Sequence, residues 1–267
     1  MAKPISNAEN NFGKQLLEIA RKKKEQTEKA LLLFLDNCIA AFDIQQILNH
    51  PDYLEWVHAV LYHDEDYKEL ILEWMKKVDE AIKSKDSYDF FGTTYEAMFQ
   101  SNAKATTTGQ FFTPMELAKV LALLTDHENN DNTVYDCCCG SGRLLLGHVY
   151  MRLQHPEKYA NDNTIYIAED IDLTSCKMTA LNLMAHGCDG CVICHDVLIN
   201  NPPDIVYIVN ESKVPFKNYT MSIRTLKDDD ARSWWLNGGI KRMADRYNVT
   251  EEELRKAEIE VKKHNNE

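Results

Sequence analysis

The stretch that decides the fold is VYDCCCGSGRLLL, residues 134–146. A β-prone pair, Val134-Tyr135, ends in an acid, Asp136. Three cysteines and Gly140-Ser141-Gly142 follow, and then an apolar run of helical composition. Two readings compete. Adjacent cysteines suggest a metal or redox centre. A strand that ends in an acid, followed by two glycines and a helix, suggests a cofactor turn instead. Glycine permits a tight turn and close backbone approach, and the start of the helix offers free N–H groups to a ligand.

The neighbouring pattern favours the turn. TVYDC, TIYIAED, CVICHDVL and DIVYIV, starting at residues 133, 164, 191 and 204, are short β-rich runs. Two helical stretches, GRLLLGHVYMRLQ from 142 and LTSCKMTALNLMAHG from 173, separate the first three. Strand, helix, strand, helix, strand predicts a parallel sheet with crossover helices. The second run ends in Glu169-Asp170 and the third in His195-Asp196. Three acids at three successive carboxyl ends make a nucleoside cradle. Asp170, or Glu169 if the register slips by one, can accept from ribose hydroxyls. Asp196 can accept from an exocyclic amine.

Cysteine spacing gives the metal reading a second chance. Cys188, Cys191 and Cys194 are followed by His195, a spacing that can ligate zinc or an iron–sulfur cluster. Strand alternation sends Cys191 and Cys194 to opposite faces, however. The triplet Cys137–Cys139 reads as small residues packed under the loop. No metal is expected at either group.

Upstream, apolar residues recur at helical spacing. Leu16, Ile19, Leu31, Phe34, Leu35 and Ile39 form one set. Leu54, Val57, Val60, Leu61, Leu70, Ile71, Trp74 and Val78 form another. TPMELAKVLALL opens a helix with Thr113 as N-cap, Pro114 in the first turn and Glu116 closing a capping box. Thr250 and Glu253 form a second capping box near the end. The expected organisation is a helical domain over 1–104, an α/β domain over 105–230 and a helical tail over 231–267. The adjacent Trp234 and Trp235 can stack bases or cover a core.

Composition sets the remaining bounds. The chain has 267 residues, 44% hydrophobic and 27% charged, as in a globular protein. No window reaches the ~18 uninterrupted apolar residues of a membrane span. The first residues lack the apolar core of a signal peptide, so a cytosolic protein with reduced cysteines is expected. The formal net charge is −12, and no segment is strongly basic. A protein that grips DNA alone carries a basic face. If this chain acts on DNA, a protein partner is expected to supply the grip.

Several segments together resemble the S-adenosylmethionine-dependent adenine-N6 DNA methyltransferases, most closely the modification subunits of type I restriction systems. DFFGTTYEAMF, 89–99, is similar to the segment that ends that family's helical domain. GQFFTP, 109–114, is similar to its cofactor segment ahead of the sheet. DCCCGSG, 136–142, resembles its Asp-Pro-Ala-Cys-Gly-Ser-Gly loop, with Cys137 and Cys138 in place of Pro-Ala. YIAEDIDLTSCKMTALNLMAHG, 166–187, resembles its ribose-binding strand and following helix, and HDVL, 195–198, its adenine-side acid.

The resemblance implies a Rossmann-like methyltransferase fold behind a helical domain, shortened at the C-terminus. It implies S-adenosyl-L-methionine as cofactor, and DNA reached through a separate specificity subunit. Gln110, Phe111, Phe112 and Thr113 would line the methionine part of the cofactor. Asp136, Cys139, Gly140 and Gly142 would form the turn beneath it. Asp170 (with Glu169 the alternative) would hold the ribose, and Asp196 would face the adenine.

The family also needs Asn/Asp-Pro-Pro-aromatic after its fourth strand, where it orients the adenine amine and stacks the flipped base. This chain has Asn201-Pro202-Pro203, but Asp204 stands where the aromatic should be, and the motif precedes DIVYIV. Asn210, after that run, is the alternative asparagine. Two other functions stay open: a methyltransferase-like protein that works through a partner without transferring methyl, and an acidic protein that sequesters a nucleic-acid enzyme.

Overall fold

The computed structural model describes residues 7–43, 65–99, 112–125, 133–159, 164–199, 201–211 and 221–245. Residues 54–61 of the second apolar set, Gln110, Phe111 and the Thr250–Glu253 box lie outside them. In chain order the elements are α1 (Asn7–Lys23), α2 (Thr27–Ala41), α3 (Glu65–Lys83), α4 (Phe90–Phe99) and α5 (Met115–Thr125). Next come β1 (Thr133–Asp136), α6 (Arg143–Gln154), β2 (Ile165–Asp170), α7 (Leu173–Ala185) and β3 (Asp189–Cys194). Then follow β4 (Ile205–Val209), β5 (Ile223–Lys227), α8 (Asp228–Leu236) and α9 (Gly239–Asp245).

The described residues are mixed α/β, with one five-stranded sheet among them in the order β1-β2-β3-β4-β5. β1, β2 and β3 run parallel, joined by the crossover helices α6 and α7. β4 and β5 run antiparallel to their neighbours. A parallel return needs a crossover of about a dozen residues or more, usually a helix, and residues 195–204 supply none. β4 therefore returns antiparallel, and the strand order leaves β1 at one edge among the described residues.

One face of the sheet carries α6 and α7. Their core is continuous with that of α1–α4: Leu16, Leu31, Phe34, Trp74 and Phe91 belong to one cluster with Tyr166, Leu181 and Val192. The helical residues the periodicity selects, from Leu16 to Val78, are buried here where described, with Ile19 partly buried. Along β2 and β3, Ile167, Cys191 and Ile193 turn to the other face. Ala231, Trp234, Trp235, Ile240 and Met243 cover them from α8 and α9. The tryptophan pair thus closes a core.

α5 crosses α6 closely. A Cβ on Gly147 would lie 2.5 Å from the Ala118 carbonyl oxygen, and Ala118 and Ala122 are the buried residues of α5. Its other face leaves Leu117, Val120, Leu121 and Leu124 exposed at 48, 48, 37 and 71%. No helix among the described residues is long and apolar enough to cross a membrane.

Candidate functional site

The parallel register brings the three acids to one rim. Asp136 aligns with Ala168, two residues before Asp170, and Asp170 aligns with Cys194, two residues before Asp196. Each acid sits at or just past the carboxyl end of its own strand.

The turn after β1 is left-handed where the sequence placed its glycines. Gly140 has φ +54° and Gly142, the residue before α6, φ +85°. A Cβ on Gly140 would come within 3.1 Å of the Phe112 ring, and one on Gly142 within 3.1 Å of Thr179. The turn is bonded to three elements. The Gly140 N–H donates to Asp170 Oδ2 at 2.8 Å, the Thr179 hydroxyl to the Gly140 carbonyl at 2.8 Å, and the Cys139 N–H to the Glu169 carbonyl at 2.9 Å. Burial pushes the Cys139 thiol up, which keeps it protonated and inert.

Asp136 is the electrostatic oddity. Its Oδ1 accepts from the Cys138 N–H at 3.1 Å, while its Oδ2 is buried without a hydrogen-bond partner. Burial raises its pKa, against the Cys138 N–H and with help from the charge on Asp170. A buried carboxylate oxygen left open at a glycine turn is an acceptor in want of a donor.

Asp170 and Glu169 part company. The Asp170 carboxylate serves the turn and also accepts from the Asp172 N–H at 2.9 Å. Glu169 turns to the opposite face, is 4% exposed, and accepts from the Tyr135 hydroxyl at 2.6 Å. Burial, then this bond, raises the pKa of Tyr135. Asp170 is thus the acid that reaches the turn. Asp196 caps the turn after β3, accepting from the Leu198 N–H at 2.9 Å. Ile171, Leu198 and Ile199, exposed at 69, 96 and 62%, add apolar surface beside Asp170 and Asp196. Exposed apolar residues next to strand-end acids were a signal the sequence carried.

The proline motif shares its connection with Asp196. Asn201-Pro202-Pro203 lies in the β3–β4 connection, on the β3 side of the sheet rather than beside β1. His195 Nδ1–H donates to the Asn201 carbonyl at 3.0 Å, and the His195 ring meets Trp235 edge to face, centroids 5.0 Å apart. Asn210 follows β4, which runs antiparallel, so it stands at the end of the sheet opposite the turn. It is buried, donates to the carbonyls of Met184 and Cys188, and accepts from the Ser222 N–H. Its side chain is spent on holding α7, β3 and β5 together.

The structure also shows a buried polar cluster that sequence patterns missed. Asp89, just ahead of α4, is 1% exposed and accepts four hydrogen bonds: from the Gly92 N–H, Asn182, Ser141 and Arg143. Arg143 further reaches Glu96 and the Thr113 carbonyl. Burial works against its charge, but the two carboxylates outweigh that and raise its pKa. A separate cleft of about 650 Å³ lies between α2 and β4–β5 and contains none of the predicted site residues. Lys177 in it is satisfied by Asp36 at 2.6 Å.

Residues 86–213 match the family model for N-6 DNA Methylase. Among curated relatives, the methylase subunit of the type I restriction enzyme MpnII from Mycoplasma pneumoniae is 30% identical over 109 residues, 39% of this chain and 19% of that one. The MjaVIII and MjaVII type I methylase subunits of Methanocaldococcus jannaschii are 28 and 27% identical, over 44 and 51% of this chain and 20 and 23% of theirs. The similarity therefore spans about a fifth of the length of these relatives. No solved structure matches the chain.

Proposed function

We propose that this chain binds S-adenosylmethionine at the turn after β1 and serves adenine-N6 methylation of DNA within a larger assembly. One observation carries the cofactor reading. The left-handed turn Gly140–Gly142 is flanked by Asp136, with its open buried oxygen, and by Asp170, and a Cβ at Gly140 would press against the Phe112 ring at 3.1 Å. When bound, S-adenosylmethionine supplies a methyl group on a positively charged sulfur. Its cationic end fits a rim of carboxylates.

In this reading Asp136 accepts from the ligand's amino group. Asp170 holds the ribose while keeping the turn in place. Asp196 faces the adenine, with Ile171 and Leu198 packing on its plane. Gln110 to Thr113 line the methionine part. The sheet is then the cofactor half of a Rossmann-like methyltransferase behind a helical domain. In such sheets ligands bind at the switch point beside the first strand. Here the described residues place strands on one side of β1 only.

DNA is the proposed substrate, and a separate specificity subunit the proposed partner. Two features support a partner. The net charge is −12, which opposes unaided DNA binding. The α5 stripe Leu117, Val120, Leu121 and Leu124 is apolar and exposed. The position of Asn201-Pro202-Pro203, away from β1, favours a second reading: a cofactor-binding chain that acts through its partner without transferring methyl itself.

A transfer assay separates the two. Tritiated S-adenosylmethionine and DNA are incubated with the chain alone and with a type I specificity subunit. The enzyme reading expects negligible transfer alone and clear transfer with the partner, lost in Asn201→Ala if that asparagine orients the amine. No transfer with any partner would leave only the second reading.

A further inference from the structure

We infer that Asp89 is a positioning residue for the cofactor turn, so that the helical layer sets the shape of the binding site. The inference rests on the cofactor reading above, but its geometry is independent of that reading.

Asp89 Oδ1 accepts from the Gly92 N–H at 2.8 Å and from Asn182 Nδ2 at 2.7 Å. Oδ2 accepts from Ser141 Oγ at 2.6 Å and from Arg143 Nε at 2.5 Å. Two of these donors lie in or directly after the turn: Ser141 is the residue between its glycines, and Arg143 is the first residue of α6. A third, Asn182, also donates to the Ser141 carbonyl at 2.8 Å. Ser141 is thus gripped at its hydroxyl by α4's leading loop and at its carbonyl by α7.

Arg143 extends the link to the remaining wall. Its Nη1 donates to the Thr113 carbonyl at 3.3 Å, its guanidinium stands 5.4 Å from the centre of the Phe112 ring, and that ring abuts Gly140. Phe112, Thr113, Gly140 and Gly142 are therefore held relative to one another through one ion pair anchored on Asp89.

Nor is the cluster generic packing between layers. Asp89, Ser141 and Asn182 are at most 1% exposed and Arg143 6%, and a buried carboxylate is tolerated only when its oxygens are fully bonded. Gly92 is shaped to it, since a Cβ there would lie 2.0 Å from Asp89 Oδ2 and 2.4 Å from Ser141 Oγ. Ser87, two residues earlier, also bridges the layers, donating to the Leu146 carbonyl at 2.8 Å, but one turn further along α6 and away from the glycines. It provides the control.

The test uses the full chain and two readouts. The first is iodoacetamide labelling of the peptide that holds Cys137, Cys138 and Cys139. Cys137 and Cys138 are exposed and Cys139 buried, so a third label reports opening of the turn. The second is calorimetry with S-adenosylmethionine. In Asp89→Asn the amide presents N–H groups to donors, so the third label should appear at least about tenfold faster and the Kd should rise at least about tenfold. Ser87→Ala should lower the melting temperature yet leave both readouts at wild-type values. Ser141→Ala, which deletes one donor and keeps the ion pair, should fall between, and it decides the matter if Asp89→Asn does not fold. Equal labelling in wild type, Asp89→Asn and Ser141→Ala, or an equal rise in Ser87→Ala, would overturn the inference. If wild type takes up no S-adenosylmethionine while the labelling pattern holds, the cofactor reading fails and the positioning role of Asp89 stands.

Discussion

Asp89 and Arg143, 54 residues apart in sequence, meet at 2.5 Å in the interior, and their pairing joins the helical layer to the turn that follows β1. The turn is therefore not a property of one strand–helix unit. It is held by hydrogen bonds from α4's leading loop, β2 and α7 as well as by its own strand and helix.

The ion pair predicts a strong asymmetry in stability. Arg143→Ala leaves Asp89 and Glu96 facing each other's surroundings without a cation and should cost about 3–5 kcal/mol. The double variant Asp89→Ala/Arg143→Ala should be less destabilised than the sum of the single changes, because the pair is coupled. Urea denaturation of the four proteins measures both.

Asp136 should trade stability for function. Its pKa is raised in the folded chain, so the folded state takes up a proton more readily than the unfolded one. Its charge therefore opposes folding above that pKa, and the penalty is relieved as pH falls through it. Asp136→Asn should melt higher than wild type at neutral pH, with the gap closing on acidification. The same variant should bind S-adenosylmethionine at least about tenfold more weakly, and wild-type affinity should fall over the acidic range in which the variant's stays flat. Melting curves and calorimetry across pH check the signs together.

Much of this rim was legible in the sequence. β1, β2 and β3 are apolar runs that end in acids and are separated by helical stretches, a pattern local enough to read directly. The pairing at Asp89 was not legible: DFFGTTYEAMF was readable as a family-like segment, but nothing in it gives Asp89 a role, and its partners lie 52, 54 and 93 residues away. The direction of β4 was recoverable in principle from the lack of a helix between His195 and Asp204. Asn210 shows the limit of motif matching. An asparagine after a strand looks available until the antiparallel course of β4 puts it at the far end and its amide is found bonded to Met184 and Cys188.

The two acids at the end of β2 should behave differently. Asp170→Ala removes the partner of the Gly140 N–H and the proposed ribose acceptor, and should weaken cofactor binding by about 1.5–3 kcal/mol. Glu169→Gln keeps an acceptor for the Tyr135 hydroxyl on the opposite face and should leave binding within about twofold. Equal losses in the two variants would mean that both faces of β2 contribute to the site.

The most direct measurement is titration calorimetry of the unmodified chain with S-adenosylmethionine, run beside Gly140→Val. A valine at φ +54° costs about 1–2 kcal/mol in backbone strain and crowds the Phe112 ring, which a Cβ there would meet at 3.1 Å. The account predicts saturable binding of one molecule per chain by the unmodified protein and none by the variant, with the variant still folded by circular dichroism. Absence of binding to the unmodified chain at millimolar cofactor, or equal binding by both proteins, would contradict it.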